Sequence, residues 1–162
     1  MRTIVISLLL VVWTATGCTM DRSEADITIT DPWIREAPPG ANALAGYMLL
    51  RNRSDTDINL VNAEGPDFDT IMFHETITRS GMATMVHLEQ IRIPGQKQIA
   101  FQPGGMHLML MQPKRNLTVG DESTIILTFA GGKEVIAEFK VRKSSSNHTT
   151  ISGDSNTNSK HH

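Results

Sequence analysis

Short β-prone runs, separated by turn residues at intervals of about ten positions, extend along most of this 162-residue chain. Turn sequences such as APPGAN, GPDF, PGG and LTVGD separate the runs, and no segment keeps a helical period. We therefore expect an all-β protein. The predicted strands lie near residues 27–34, 46–52, 58–63, 70–78, 84–93, 98–101, 106–112, 123–129 and 134–141.

Gly131 and Gly132 give the clearest hairpin signal in the chain. They lie between the runs TIILTFA and KEVIAEFKV, and glycine accepts the positive φ angles of tight hairpin turns. Together with the other runs, this hairpin predicts an antiparallel Greek-key β-sandwich. The length suits one domain with its own hydrophobic core, spanning residues 27–143.

Residues 1–17 are typical of an export signal of the lipoprotein type. One arginine precedes an apolar run that is about half of the roughly twenty residues needed to cross a bilayer. Small residues then lead into Cys18, which we expect to carry a lipid as the first mature residue. A plain secretory signal cut near Gly17 is the alternative. The predicted location is exported, on the periplasmic side or cell surface, with a lipid anchor at Cys18 and a linker over residues 18–26.

The composition excludes several classes of partner and site. Fifteen basic and seventeen acidic residues nearly cancel, so we expect no nucleic-acid partner. Cys18 is the only cysteine, which excludes disulfides, thiolate nucleophiles and thiolate metal ligands from the folded domain. Residues 144–162 contain a single aliphatic side chain, Ile151, and are expected to form a disordered polar tail.

The sequence MHLMLM at residues 106–111 has unusual chemistry for a half-buried strand. Side chains alternate between faces, so the even-numbered residues form an ordinary apolar face. His107 and Met109 share the other face, about 6 to 7 Å apart, where polar residues are usual. Thioether sulfur is a good ligand for Cu(I), and imidazole also suits copper. The alternative is that these methionines only fill gaps in the core.

A His-x10-Met-x21-His-x-Met series connects His74, Met85, His107 and Met109. This series resembles the metal-binding signature of the PCuAC-type periplasmic copper chaperones. The stretches DPWIREAPPGANALAGYMLLRNRSD and PGGMHLMLMQPKRNLTVGD are also similar to that family, and the agreement extends over about residues 27–142. For Trp33 and Tyr47, in the first of these stretches, we expect a packing role.

The resemblance implies a cupredoxin-like β-sandwich that binds Cu(I) through His74, Met85, His107 and Met109. It also implies a copper chaperone that delivers Cu(I) to the copper centre of cytochrome c oxidase. The copper-accepting partner could be a cytochrome oxidase subunit, its thiol-disulfide copper accessory protein or another cuproenzyme.

Other histidines and methionines are weaker candidates. Met72 and Met111 share strand faces with His74 and His107 and are possible substitute ligands. His87 could join the site, but an exposed strand histidine beside Glu89 is the expected role. Met82 is expected at the surface, and the tail histidines would form a weak site. The histidines of the tail are His148, His161 and His162.

Three other functions compete with copper delivery. A blue-copper electron carrier requires a Cys thiolate, which the domain lacks. An enzyme is not expected, because no nucleophile lies at a sequence spacing from a base that is typical of a catalytic motif. HETIT has Thr78 where a zinc-protease motif has its second histidine. The remaining alternative is a surface β-sandwich lipoprotein that acts in protein interaction or stress resistance without a physiological metal.

Overall fold

The computed structural model describes residues 26–143, and within them the chain forms ten strands and no helix. The all-β class predicted from the sequence is confirmed. The strands are β1 (Ile27–Arg35), β2 (Ala43–Asn52), β3 (Ile58–Glu64), β4 (Phe68–Arg79), β5 (Met82–Leu88), β6 (Ile91–Ile93), β7 (Gln98–Phe101), β8 (Met106–Pro113), β9 (Glu122–Phe129) and β10 (Glu134–Arg142).

The strands are hydrogen-bonded in the order β5-β4-β8-β7-β2-β1-β10-β9-β3-β6, and β8 also pairs with β2. Most pairs are antiparallel, while β1 with β10 and β7 with β8 are parallel. Strands distant in sequence are neighbours in the sheet, as β4 and β8 are, which is typical of Greek-key connections. This order brings β5, β4 and β8 side by side.

Both halves of the sheet share one hydrophobic core. Ten flat strands would extend over roughly 40 Å, too far for their two ends to pack together. Yet Leu50 of β2, Phe73 of β4, Leu60 of β3 and Phe139 of β10 belong to one buried cluster. The sheet therefore folds over on itself, and the predicted antiparallel Greek-key β-sandwich of the cupredoxin-like type is confirmed.

The hairpin predicted at Gly131 and Gly132 is also confirmed. Their φ angles are 90° and 84°, and β9 pairs antiparallel with β10 on either side of them. The Phe129 amide donates a hydrogen bond to the Lys133 carbonyl at 2.8 Å, which closes the turn. Glycine is needed at both positions because L side chains rarely adopt these angles.

The single strand predicted at residues 84–93 is wrong, because this segment forms two strands at opposite edges of the sheet. β5 pairs with β4, whereas β6 pairs with β3. β5 is exposed along almost its whole length, while Ile91 and Ile93 of β6 are buried in the core. The chain changes layer at residues 89–90 because burial of these two isoleucines favours the other half of the sandwich. The other predicted strands differ from the observed bounds by three residues or fewer.

The predicted signal at residues 1–17, the lipidated Cys18 and the tail at residues 144–162 lie outside the described residues and stay predictions, as does the linker apart from Asp26. Across residues 26–143, no helix is long and apolar enough to cross a membrane.

Candidate metal centre

Three adjacent strands place the four predicted ligands on one face of the sheet. His74 of β4 lies directly opposite His107 of β8, and Thr76 of β4 lies opposite Met85 of β5. Opposed residues of an antiparallel pair share a face, and so do residues two apart along one strand. His74, Met85, His107 and Met109 therefore project from the same side, although 35 positions separate the first from the last.

The two predicted histidine ligands are close enough to bind one ion. Their ring centroids are 5.9 Å apart, and the ring planes are inclined by 67°. An imidazole nitrogen bonds a metal at about 2 Å, so the centroids of two rings on one ion lie roughly 5 to 6.5 Å apart. The spacing of His74 and His107 falls within this range.

The Gly-Gly turn before β8 orients the ring of His107. Gly104 adopts a φ of 79°, and the Gly105 carbonyl accepts a hydrogen bond from the Thr76 amide of β4 at 3.1 Å. Nδ1 of His107 lies 3.1 Å from that same carbonyl. Because a carbonyl only accepts, Nδ1 carries the proton, and Nε2 keeps its lone pair for a metal. The turn thus sets both the position and the tautomer of this histidine.

His74 has a buried ring nitrogen that needs a partner. Its Nδ1 makes no hydrogen bond, which is uncommon for a buried polar atom. Burial lowers the pKa of His74, and the neighbouring His107 and His87 rings lower it further. A neutral imidazole is the form that binds a metal. This histidine therefore suits a ligand role better than a purely structural one.

Exposure increases across the three strands, from β8 to β5. His107 is 7 % exposed, His74 and Met109 are half-buried, and Met85 is 61 % exposed. Because β5 is an edge strand, solvent reaches the candidate centre from the Met85 side.

An aromatic stack closes the opposite side. The Tyr47 ring lies 6.5 Å from the His107 ring and 4.6 Å from Trp33, and the Arg35 guanidinium lies 5.4 Å above it. Burial raises the pKa of the Tyr47 hydroxyl, which Arg35 partly offsets. A register shift in β1 at Asp31, whose φ is 50°, precedes Trp33. The packing role predicted for Trp33 and Tyr47 is confirmed, and both rings stand beside the candidate centre.

The other methionines considered from the sequence lie on different faces of the sheet. Met72 lies opposite Met109, and Met111 lies opposite Ala43 of β2, so both share the face of the candidate centre. Met82 is 71 % exposed and points to the other face of β5, as expected of a surface residue. Within residues 26–143, no group of three or more His, Cys, Asp or Glu side chains is placed to hold a metal ion.

His87 lies nearer the candidate centre than the sequence interpretation expected. It is exposed, but it stands directly opposite His74 with a ring-centroid distance of 5.5 Å. The signal that could have placed it is the turn at Ser80 and Gly81, whose φ angles are 52° and 81°. A two-residue turn of this kind fixes the register of its hairpin, and counting back from it pairs His87 with His74.

The chain is similar in sequence to a known family and to individual proteins. Residues 27–141 match the model of the LpqE-like family, which is named for a lipoprotein. The protein RP573 of Rickettsia prowazekii is 31 % identical over 123 residues, which cover 74 % of this chain and 68 % of that one.

Two solved structures share the fold. The copper-bound PCuAC domain from PmoF2 has a TM-score of 0.63 at 25 % identity, covering 73 % of this chain and 93 % of its own. The Cu(I) form of DR1885 from Deinococcus radiodurans has a TM-score of 0.61 at 32 % identity, covering 78 % of this chain and 87 % of its own. The resemblance to PCuAC domains inferred from the sequence is confirmed.

Proposed function

The chain belongs to the LpqE-like family, and from that premise we propose that it is an extracytoplasmic metallochaperone that binds Cu(I) and carries it to a cuproenzyme. The observation that carries this proposal is the register of β5, β4 and β8. It sets His74 against His107 and leaves Met85 and Met109 on the same face. Among the solved structures similar to this chain are the copper-bound PCuAC domain from PmoF2 and the Cu(I) form of DR1885, which supports copper as the cargo.

The donor set favours Cu(I) over other ions. Two imidazoles and two thioethers bring no negative charge, so they stabilise a singly charged soft ion better than a doubly charged hard one. They also bind less tightly than thiolates, which keeps the ion transferable. Thiolates outside the cytosol are prone to oxidation and disulfide exchange, and this site avoids them.

The geometry supports a carrier rather than an enzyme. The ligands lie at the edge of the sheet, with Met85 exposed, so an acceptor protein can reach the ion without unfolding the domain. We infer delivery to a copper centre such as that of cytochrome c oxidase. The acceptor is a subunit of that enzyme or its thiol-disulfide copper accessory protein, and a lipid on Cys18 tethers the carrier to the membrane. The lipoprotein name of the family supports this anchor.

An anaerobic titration of the purified protein with Cu(I) tests the proposal. We expect one equivalent to bind, and His107→Ala or Met109→Ala to weaken binding by at least about tenfold, since even indirect partners of ligands contribute that much. Met82→Ala is the matched control, because Met82 is exposed on the other face of β5. Equal binding by the parent and both ligand variants would favour the surface lipoprotein without a physiological metal.

A further inference from the structure

Three imidazole rings form a row across β5, β4 and β8. His74 is the middle ring, with His87 at 5.5 Å on one side and His107 at 5.9 Å on the other. Both distances fall within the roughly 5 to 6.5 Å expected for two rings that share an ion. His74 can therefore share a bound ion with either neighbour.

The three rings do not together form one metal site. His87 and His107 lie on opposite sides of β4, on strands β5 and β8, and the described residues contain no group of three histidines placed to hold a metal ion. The row instead forms two overlapping pairs, an outer one with His87 and an inner one with His107.

The two pairs differ in access to solvent. His107 is buried beside Tyr47, whereas His87 is exposed on the edge strand. Met85 lies two residues before His87 on the same face and is 61 % exposed. The outer pair thus has a thioether beside it on the edge strand, and an approaching protein meets the outer pair before the inner pair.

We propose that His87 is an entry and exit ligand for Cu(I), an inference that rests on the proposed copper-carrier function. On loading, His87, Met85 and His74 first hold the ion at the exposed edge. The bond from copper to the His87 nitrogen then breaks as bonds to the His107 nitrogen and the Met109 sulfur form. Copper remains Cu(I) and no proton moves, so the step is a ligand exchange, and release to an acceptor reverses it.

The test compares the parent with His87→Ala in anaerobic Cu(I) binding and in stopped-flow transfer to and from a coloured Cu(I) chelator. Thr84→Ala is the matched control, since Thr84 is exposed on the opposite face of β5. We expect His87→Ala to keep one equivalent and the parental affinity, while capture and release both slow by about tenfold or more. Thr84→Ala should match the parent in every measurement.

Parental transfer rates in His87→Ala would overturn the proposal. A loss of affinity as large as that of His107→Ala would overturn it as well, because His87 would then be a permanent ligand. A parent that binds no Cu(I) would contradict the proposed function itself, which separates the two failures.

A double-mutant cycle gives a second readout at equilibrium. In His107→Ala, the outer pair should retain Cu(I) with weaker affinity, and adding His87→Ala should then remove binding that His87→Ala alone leaves intact. This non-additivity is expected of residues that can substitute for each other on one ion. Additive losses would contradict an overlapping pair.

Discussion

His74 combines two properties that suit a metal ligand: a ring nitrogen without a hydrogen-bond partner and a lowered pKa, which favours the neutral imidazole. Burial and two neighbouring imidazoles lower its pKa from the ordinary value of 6.5. The unfolded chain therefore binds a proton at a higher pH than the folded chain does. The contribution of neutral His74 to the free energy of unfolding is fully present above about pH 6.5, and it is lost as the pH falls through the pKa of His74 in the folded protein.

We expect the metal-free protein to lose more stability between pH 7.5 and pH 5 than its His74→Gln variant. Glutamine keeps a polar side chain of similar length but does not titrate. Urea unfolding at the two pH values measures the difference. Equal losses in the parent and the variant would show that His74 is not the group whose pKa burial lowers.

Met109 and Met106 allow ligation to be separated from packing. Both are on β8, but Met109 shares the face of His107 whereas Met106 packs against the core. Replacing methionine by leucine conserves volume and costs less than about 1.5 kcal/mol of stability. We expect Met109→Leu to weaken Cu(I) binding by at least about tenfold and Met106→Leu to leave it unchanged. Competition with a Cu(I) chelator measures both, and equal affinities would show that the Met109 sulfur is not a ligand.

At the scale of single elements, β5 is the least secured part of the candidate centre. It pairs only with β4, and all but its last residue is exposed. Local opening of such edges is easier than opening of central strands. Ligation by Met85 would tie β5 to β4 and β8 through the ion.

Hydrogen exchange tests this role of β5. Without copper, we expect the amides of β5 to exchange faster than those of β8, which has hydrogen-bonded strands on both sides. Cu(I) should slow exchange in β5 of the parent and not in Met85→Leu. Copper-induced protection that is the same in both would show that Met85 does not tie the strand to the ion.

Most strands could be predicted from the sequence, but most of their pairings could not. Alternation of apolar and polar residues located the strands, and the faces of β8 followed directly from it, because side-chain direction depends only on position along a strand. The division of residues 84–93 between two edges was missed, since both parts are β-prone and the change of layer depends on which residues the core buries. The position of His87 beside His74 was missed for a related reason. The register of the β4–β5 hairpin places the two residues opposite each other, and neither sequence stretch alone shows that register.

At the scale of the whole molecule, the ligand face and the features that stabilise the sandwich are largely separate. The buried side chain of Asn52 donates to the carbonyls of Thr56 and Ile93 at 2.7 and 3.1 Å, and it accepts from the amide of Ser54 at 3.0 Å. These bonds fasten the loop after β2 to β6, in the other half of the sheet from β5. Removing them leaves buried polar groups without partners.

We therefore expect Asn52→Ala to lower the free energy of unfolding by about 1–3 kcal/mol while Cu(I) affinity stays at the parental value. Denaturant unfolding and chelator competition measure the two quantities. A matched loss of affinity would mean that the candidate centre depends on the far half of the sandwich.

The whole fold brings together ligands that are spread along the sequence, and no local pattern reports such an approach. The His-x10-Met-x21-His-x-Met spacing named the residues through a family resemblance, and strand alternation explained only the pair His107 and Met109. The position of His74 opposite His107 required the pairing of β4 with β8, in which the paired residues are more than 30 positions apart in sequence. Strands that pair over such a separation are positioned by packing in the common hydrophobic core. The sequence shows which residues are apolar but not which of them pack together.

The most direct test of the central claim is X-ray absorption at the copper edge of the full-length protein loaded with one equivalent of Cu(I). Ligation by His74, Met85, His107 and Met109 predicts a cuprous edge with two nitrogen and two sulfur neighbours. It also predicts that Met109→Leu and Met85→Leu each lose one sulfur neighbour while the two nitrogen neighbours remain. A first shell without sulfur, or a shell that neither substitution changes, would contradict the site on β5, β4 and β8.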